Sequence, residues 1–341
     1  MTKIQRLRNR RIDPEIKTDK EPREVYDLLK DEEDIVYTIG TMQPLDREQT
    51  AVYFSESRRL QQIIGYAAGI AGIATAFRYH GPILTDTHIS FRSDFELLVI
   101  NMNFITLESP QKAAIPFGES PLDSLRILRN LSIEAIKTTL PECEVDTSDA
   151  ISVKLSGEGM ARDIQLIFAN WFNTNEYVKS RQEKYRGLTI LDSEGNRRRL
   201  SLPFFHNSLI AEKDERSGGA ARKLIRLINS LLFDAGEKNG LSDYDIASLI
   251  WNMPERNLSY GHGQEIQLVN SGYDYLIYVL TNEAYRTNLM VPNGTRRLFD
   301  SDGATKNQLK VTTNHLGVLV KDINQALHRS SRDLATALIA Y

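Results

Sequence analysis

The feature that most constrains this chain is the alternation Asp94-Phe95-Glu96-Leu97, which runs on into Leu98-Val99-Ile100. Neighbours along a strand point to opposite faces, so the two acids share one face while Phe95 and Leu97 take the other. Two carboxylates side by side repel unless a cation lies between them, and a divalent ion with a preference for oxygen is the simplest such partner. Upstream, Gly81-Pro82-Ile83-Leu84-Thr85 reads as a glycine turn leading into a polar connection. Acids that merely face solvent on an edge strand would show the same alternation, so the remainder of the chain must discriminate.

A third acid follows about seventy positions later. Ile151-Ser152-Val153-Lys154-Leu155 has strand character, Ser156-Gly157-Glu158-Gly159 is a turn, and Arg162 to Phe168 is a second strand with Asp163 at its beginning. Laid beside the first strand, this hairpin would bring Asp163 to Asp94 and Glu96. Three carboxylates together suit a pair of Mg²⁺ ions serving in-line phosphoryl transfer, with Mn²⁺ as a substitute.

Gly81-Pro82, Asp94-Phe95-Glu96 and Asp163 resemble the glycine-serine turn, paired acids and third acid of DNA polymerase beta-like nucleotidyltransferases. The similarity is greatest to the branch containing cGAS, oligoadenylate synthases and bacterial cyclic oligonucleotide synthases, and it covers roughly residues 75 to 255. One departure is Pro82, where the family carries serine. Proline has neither hydroxyl nor N–H, so phosphate contacts at this turn fall to Gly81 or Thr85. The resemblance implies an α+β, bilobal fold in which a mixed-sheet catalytic lobe is joined to a helical lobe. It also implies that Asp94, Glu96 and Asp163 are metal ligands and catalytic.

The pattern outside the acids agrees with that class. A long helix is predicted from about Leu45 to Tyr66, and a second opens at Pro121 and ends before Pro141. After about residue 215 helices dominate: Ala221 to Ala235, Ser242 to Asn252, Gln264 to Ala284, and roughly Lys306 to His328. Three regions result: a charged arm over 1–44, a catalytic lobe over 45–215 and a helical lobe over 216–341. The arm, with Lys3, Arg6, Arg8, Arg10 and Arg11, reads as a solvated tail with a short helix around Glu24 to Lys30. His206, in Pro203-Phe204-Phe205-His206, reads as part of a loop or strand end.

Composition narrows the function. A net charge of −3 argues against a broadly basic nucleic-acid coat, though not against a local basic groove. The single Cys143 excludes an internal disulfide and a cysteine zinc site, in keeping with a reducing cytoplasm. No signal peptide or membrane span is expected.

Arg222 and Arg226 lie four apart on one predicted helix and can meet phosphate oxygens together. By resemblance, Arg226 matches the family's basic residue near the triphosphate, and Ser242 and Tyr244 its base-binding segment, with the Tyr244 ring able to stack on a base. The overall pattern is most similar to Hailong-type anti-phage nucleotidyltransferases. That likeness implies single-stranded DNA oligomers made from dATP, initiation on the terminal Tyr341, and a membrane-channel effector, and it is compatible with a homo-oligomer. The alternatives are a cyclic oligonucleotide synthase and a catalytically degenerate nucleotide-binding module, the latter suggested by Pro82.

Overall fold

A computed structural model describes residues 1–13, 32–91, 93, 95–114, 117–260, 263–301 and 303–339, with the side chains of 49 and 330–339 excepted. Asp94, Tyr341 and the helix expected at Glu24 to Lys30 therefore lie outside the described residues. In chain order, the first elements are α1 (Lys3–Arg11), α2 (Glu33–Met42), α3 (Arg47–Ile70), β1 (Thr75–His80), β2 (Glu96–Leu107) and α4 (Pro121–Thr139). Then come β3 (Glu144–Asp146), β4 (Ser152–Ser156), β5 (Ile164–Asn173), α5 (Asn175–Ser180), β6 (Arg186–Asp192) and β7 (Arg197–Ser201). The last are α6 (Pro203–Arg216), α7 (Ala220–Ala235), α8 (Asp243–Asn252), α9 (Glu265–Thr281), α10 (Glu283–Arg286) and α11 (Lys306–Ile339).

These elements form two compact units. One contains Asp46–Thr85 and the chain after Phe91 as far as Ser208; the other contains the first 45 residues, Asp86–Phe91 and the chain from Leu209 onward. The first unit is built on a mixed sheet in the order β1-β2-β5-β4-β3, with β6 also on β5 and β7 on β6. The two central strands, β2 and β5, run parallel with Glu96 opposite Gln165. Alternation along β2 is resolved as the sequence predicts. Phe95, Leu97 and Val99 enter a core with Leu60 and Ile64 of α3 and Leu125 and Leu128 of α4. Leu98 and Ile100 enter a separate cluster with Ile167, Trp171 and Leu188. Glu96 thus belongs to the face away from α3 and α4. Both helices start on caps legible in the sequence: Asp46 accepts from the Glu48 amide, and Ser120 accepts from Asp123 ahead of Pro121.

The second unit is helical, with Leu7, Tyr37, Met42, Leu224, Leu276 and Leu316 in one core. Here the charge pattern misleads. Lys3–Arg11 is not a solvated tail but a helix closed by a Thr2/Gln5 capping box, and Arg10 and Arg11 are only 5% and 2% exposed. Burial of two arginines is tolerable because each finds partners. Arg10 donates to Ser230 Oγ (2.7 Å) and pairs with Asp234, while Arg11 donates to the carbonyls of Gln43 (3.0 Å) and Pro44 (2.7 Å). A second correction concerns His206, which lies buried in the first turns of α6 rather than in a loop or strand end. Pro203 opens that helix, at a position where a missing N–H costs nothing.

Candidate active site

β1 ends at His80 and is followed by Gly81, whose φ of 85° is open to glycine without a Cβ penalty. The Leu84 amide donates to Gly81 O (3.2 Å), closing the turn, and the Thr85 hydroxyl donates to Pro82 O (3.2 Å). Thr85 is buried, so its hydroxyl is directed into the turn itself. The antiparallel register of β1 and β2 sets His80 opposite Glu96, and His80 Nδ1 meets the Glu96 carboxylate. His80 is not among the site residues that the sequence singles out. The available signal was its position at the last residue before the strand-ending glycine, which fixes it across from the first residue of β2.

The predicted hairpin is present: Leu155 pairs with Ile164, and β5 then runs parallel to β2. The Gln165 amide donates to Phe95 O (2.8 Å), the first rung between those two strands. Asp163, two residues before Gln165, therefore stands at the same strand end as Glu96, which begins β2. The side chain of Asp163 is 54% exposed and that of Glu96 23%. Asp163 pairs with Lys154 Nζ at 3.0 Å, a diagonal cross-strand neighbour from β4. Among the described residues no three metal-ligating side chains gather into one group. Even so, two solvent-accessible carboxylates at adjacent strand ends are the hard oxygen donors a divalent cation takes.

The residues expected to hold the nucleotide behave differently. Arg226 is 5% exposed; its Nε donates to Met42 O (2.7 Å), and Nη1 donates to Asp86 O (2.6 Å) and lies 3.4 Å from Asp86 Oδ2. Burial lowers its pKa to about 10, opposed by the Asp86 charge, so the group stays cationic at neutral pH. Arg222 turns to Asp214, which both its amide and its guanidinium engage. Ser242 is the N-cap of α8, accepting from the Asp245 amide and donating to Asp245 Oδ2 (2.7 Å). Tyr244 is half-buried, with the Arg296 guanidinium 5.5 Å from its ring centroid, and burial raises its phenol pKa.

The segment joining the glycine turn to β2 is unusually enclosed. Thr87, His88, Ile89, Ser90 and Phe91 are all buried within the helical unit. Burial pulls the His88 imidazole from 6.5 down to about 4, partly offset by Asp86 and reinforced by Arg226 and Arg11. The neutral ring is thus what the fold accepts. The associated stability is complete above the unfolded value of 6.5 and is lost as pH falls towards about 4. Melting curves across that interval should show a steeper fall in Tm for the wild type than for His88→Gln; parallel curves would show that His88 does not titrate there.

Residues 208–321 match the C-terminal helical domain of cGAS/DncV-like nucleotidyltransferases. A cyclic dinucleotide synthase, CdnE, of Yersinia aleksiciae is 29% identical over 282 residues, spanning 82% of this chain and 74% of that one. A c-di-GMP synthase of Capnocytophaga granulosa is 26% identical over 276 residues, spanning 74% and 78%. Among solved structures, a STING-associated CdnE c-di-GMP synthase from Flavobacteriaceae sp. superimposes with a TM-score of 0.76 at 18% identity, over 95% of this chain and 98% of that one. A mixed-sheet unit with acids at the end of its central parallel pair, joined to a helical unit of this type, defines a nucleotidyltransferase. The chain is similar to cGAS/DncV-like nucleotidyltransferases in its C-terminal helical domain, and to the cyclic dinucleotide synthase CdnE over most of its length. No helix among the described residues is long and apolar enough to cross a membrane.

Proposed function

We propose that this chain joins two nucleoside triphosphates into a cyclic dinucleotide. The observation that carries the chemistry is the parallel register of β2 and β5, which sets Glu96 and Asp163 at one strand end. With Asp94, they would hold the divalent cation, Mg²⁺ being the expected ion. Such a cation, when bound, supplies charge to the phosphate oxygens and the departing pyrophosphate. His80, hydrogen-bonded to Glu96, orients that carboxylate. In each of two successive steps a ribose hydroxyl attacks an α-phosphorus; a P–O bond forms to the hydroxyl oxygen, its proton leaves, and the bond to pyrophosphate breaks.

Cyclisation replaces linear DNA synthesis from dATP as the favoured reading, because the curated relatives described above are a cyclic dinucleotide synthase and a c-di-GMP synthase. The dATP preference and the channel effector depended on the other likeness, and cyclisation requires neither. Incubation with each labelled ribonucleoside triphosphate, with pairs of them, and with dATP in the presence of Mg²⁺ tests the reading. The expected product is a compact species resistant to phosphatase. A ladder degraded by DNase would overturn it in favour of polymerisation. Tyr341→Phe separates the two mechanisms further: cyclisation predicts wild-type product yield, whereas initiation on that phenol predicts loss of de novo synthesis with extension of a supplied primer retained.

A further inference from the structure

A buried polar line runs along α7. Arg226, Ser230 and Asp234 recur every four residues and so share one helix face. Arg10 of α1 reaches the latter two, and the Tyr37 hydroxyl donates to Asp234 Oδ2 at 2.6 Å. This line also grips Asp86–Phe91. Arg226 takes the carbonyl and carboxylate of Asp86, Arg10 Nη1 donates to Ile89 O (3.4 Å), and the Phe91 amide donates to Arg10 O (2.9 Å). Asp86 has φ 54°, a left-handed conformation that asparagine and aspartate tolerate and β-branched residues do not. It directly follows the Gly81–Thr85 turn, so its backbone sets the direction in which that turn continues.

We infer that Arg226 is a positioning residue: by holding Asp86 in its left-handed conformation it fixes the connection between the glycine turn and the acid-bearing strand, rather than contacting a triphosphate itself. A guanidinium suits this task because its planar fork reaches Met42 O and Asp86 O at once, which a lysine ammonium cannot do from one rigid plane. The two roles leave different kinetic signatures. A lost phosphate contact raises KM or weakens nucleotide binding, whereas a misplaced catalytic connection lowers kcat with binding little changed.

The inference rests on the proposed nucleotidyl transfer, but its test does not require the product to be cyclic. Pyrophosphate release, binding of a non-hydrolysable triphosphate and amide hydrogen exchange are compared in wild type, Arg226→Met and Asp86→Val. Asp86→Val keeps the Arg226 side chain and the Asp86 carbonyl it reaches, removing only the carboxylate 3.4 Å away, and its site is a half-exposed side chain, so it reports on the segment even if Arg226→Met is unstable. Both variants are expected to lose about 100-fold in kcat with KM within about threefold, as a displacement of about 1 Å in a reacting array does. Exchange over Asp86–Phe91 should rise in both, and Arg226→Lys should restore little. Wild-type kcat in Asp86→Val would overturn the inference. So would weakened triphosphate binding at unchanged kcat in Arg226→Met, which would return Arg226 to the phosphate. If wild type yields a linear product, the cyclase reading fails while this comparison still decides the role of Arg226.

Discussion

Glu96→Gln should lower pyrophosphate release by about a thousandfold or more, because removing a metal-ligating charge forfeits several kcal/mol of transition-state stabilisation at about 1.4 kcal/mol per decade. The substitution keeps volume and can still hydrogen-bond His80, so the melting temperature should hardly change. That pairing of a lost rate with a retained fold is what makes the measurement informative. Turnover at the wild-type level would remove Glu96 from the metal site. Asp163→Asn is the companion variant: its carboxylate is more exposed and paired with Lys154, and a similar loss would show that the strand-end register is functional.

Phe95→Ala should destabilise the sheet unit by about 3–5 kcal/mol, the usual result of emptying a fully buried aromatic site. Phe95 is 0% exposed, stacks on Tyr53 at 5.2 Å between centroids and meets Phe54 and Tyr79 at 5.8 and 5.4 Å. Its carbonyl also accepts the first rung from Gln165. Activity should therefore fall along with stability, since the residue that secures the core is flanked by the two acids. A denaturant midpoint implying a loss below about 1 kcal/mol would show that the surrounding rings collapse into the space.

How much of this was legible beforehand depended on whether the signal was local. The start of α4 at Pro121, the β4–β5 hairpin and the alternation of Phe95, Glu96 and Leu97 all rest on period and turn chemistry within a few residues, and each is present. Partners distant in sequence were not readable. Arg226 looked like a cation awaiting an anion because Asp86 precedes it by 140 positions, and Arg10 looked solvated because Ser230 and Asp234 lie in a helix far downstream. Two local signals were available and missed. Thr2 and Gln5 form a capping box ahead of α1, and Pro203 is followed by a last turn carrying Lys213 and Arg216, the polarity a helix favours. His206 reads as part of a loop or strand end, yet it lies in α6, from which Phe204 packs beside Trp171.

The pairing of Arg10 with Ser230, 220 positions later, has a consequence for the order in which the molecule is made. At a synthesis rate of about 5–20 residues per second, roughly ten to forty seconds separate the emergence of α1 from that of its partner helix. During this interval Arg10, which ends up buried, lacks the hydroxyl of Ser230 and the carboxylate of Asp234. The sheet, whose strands all lie between Thr75 and Ser201, can be completed in the meantime. The contacts of α1 with α7 can therefore form only after every strand of the sheet has been made.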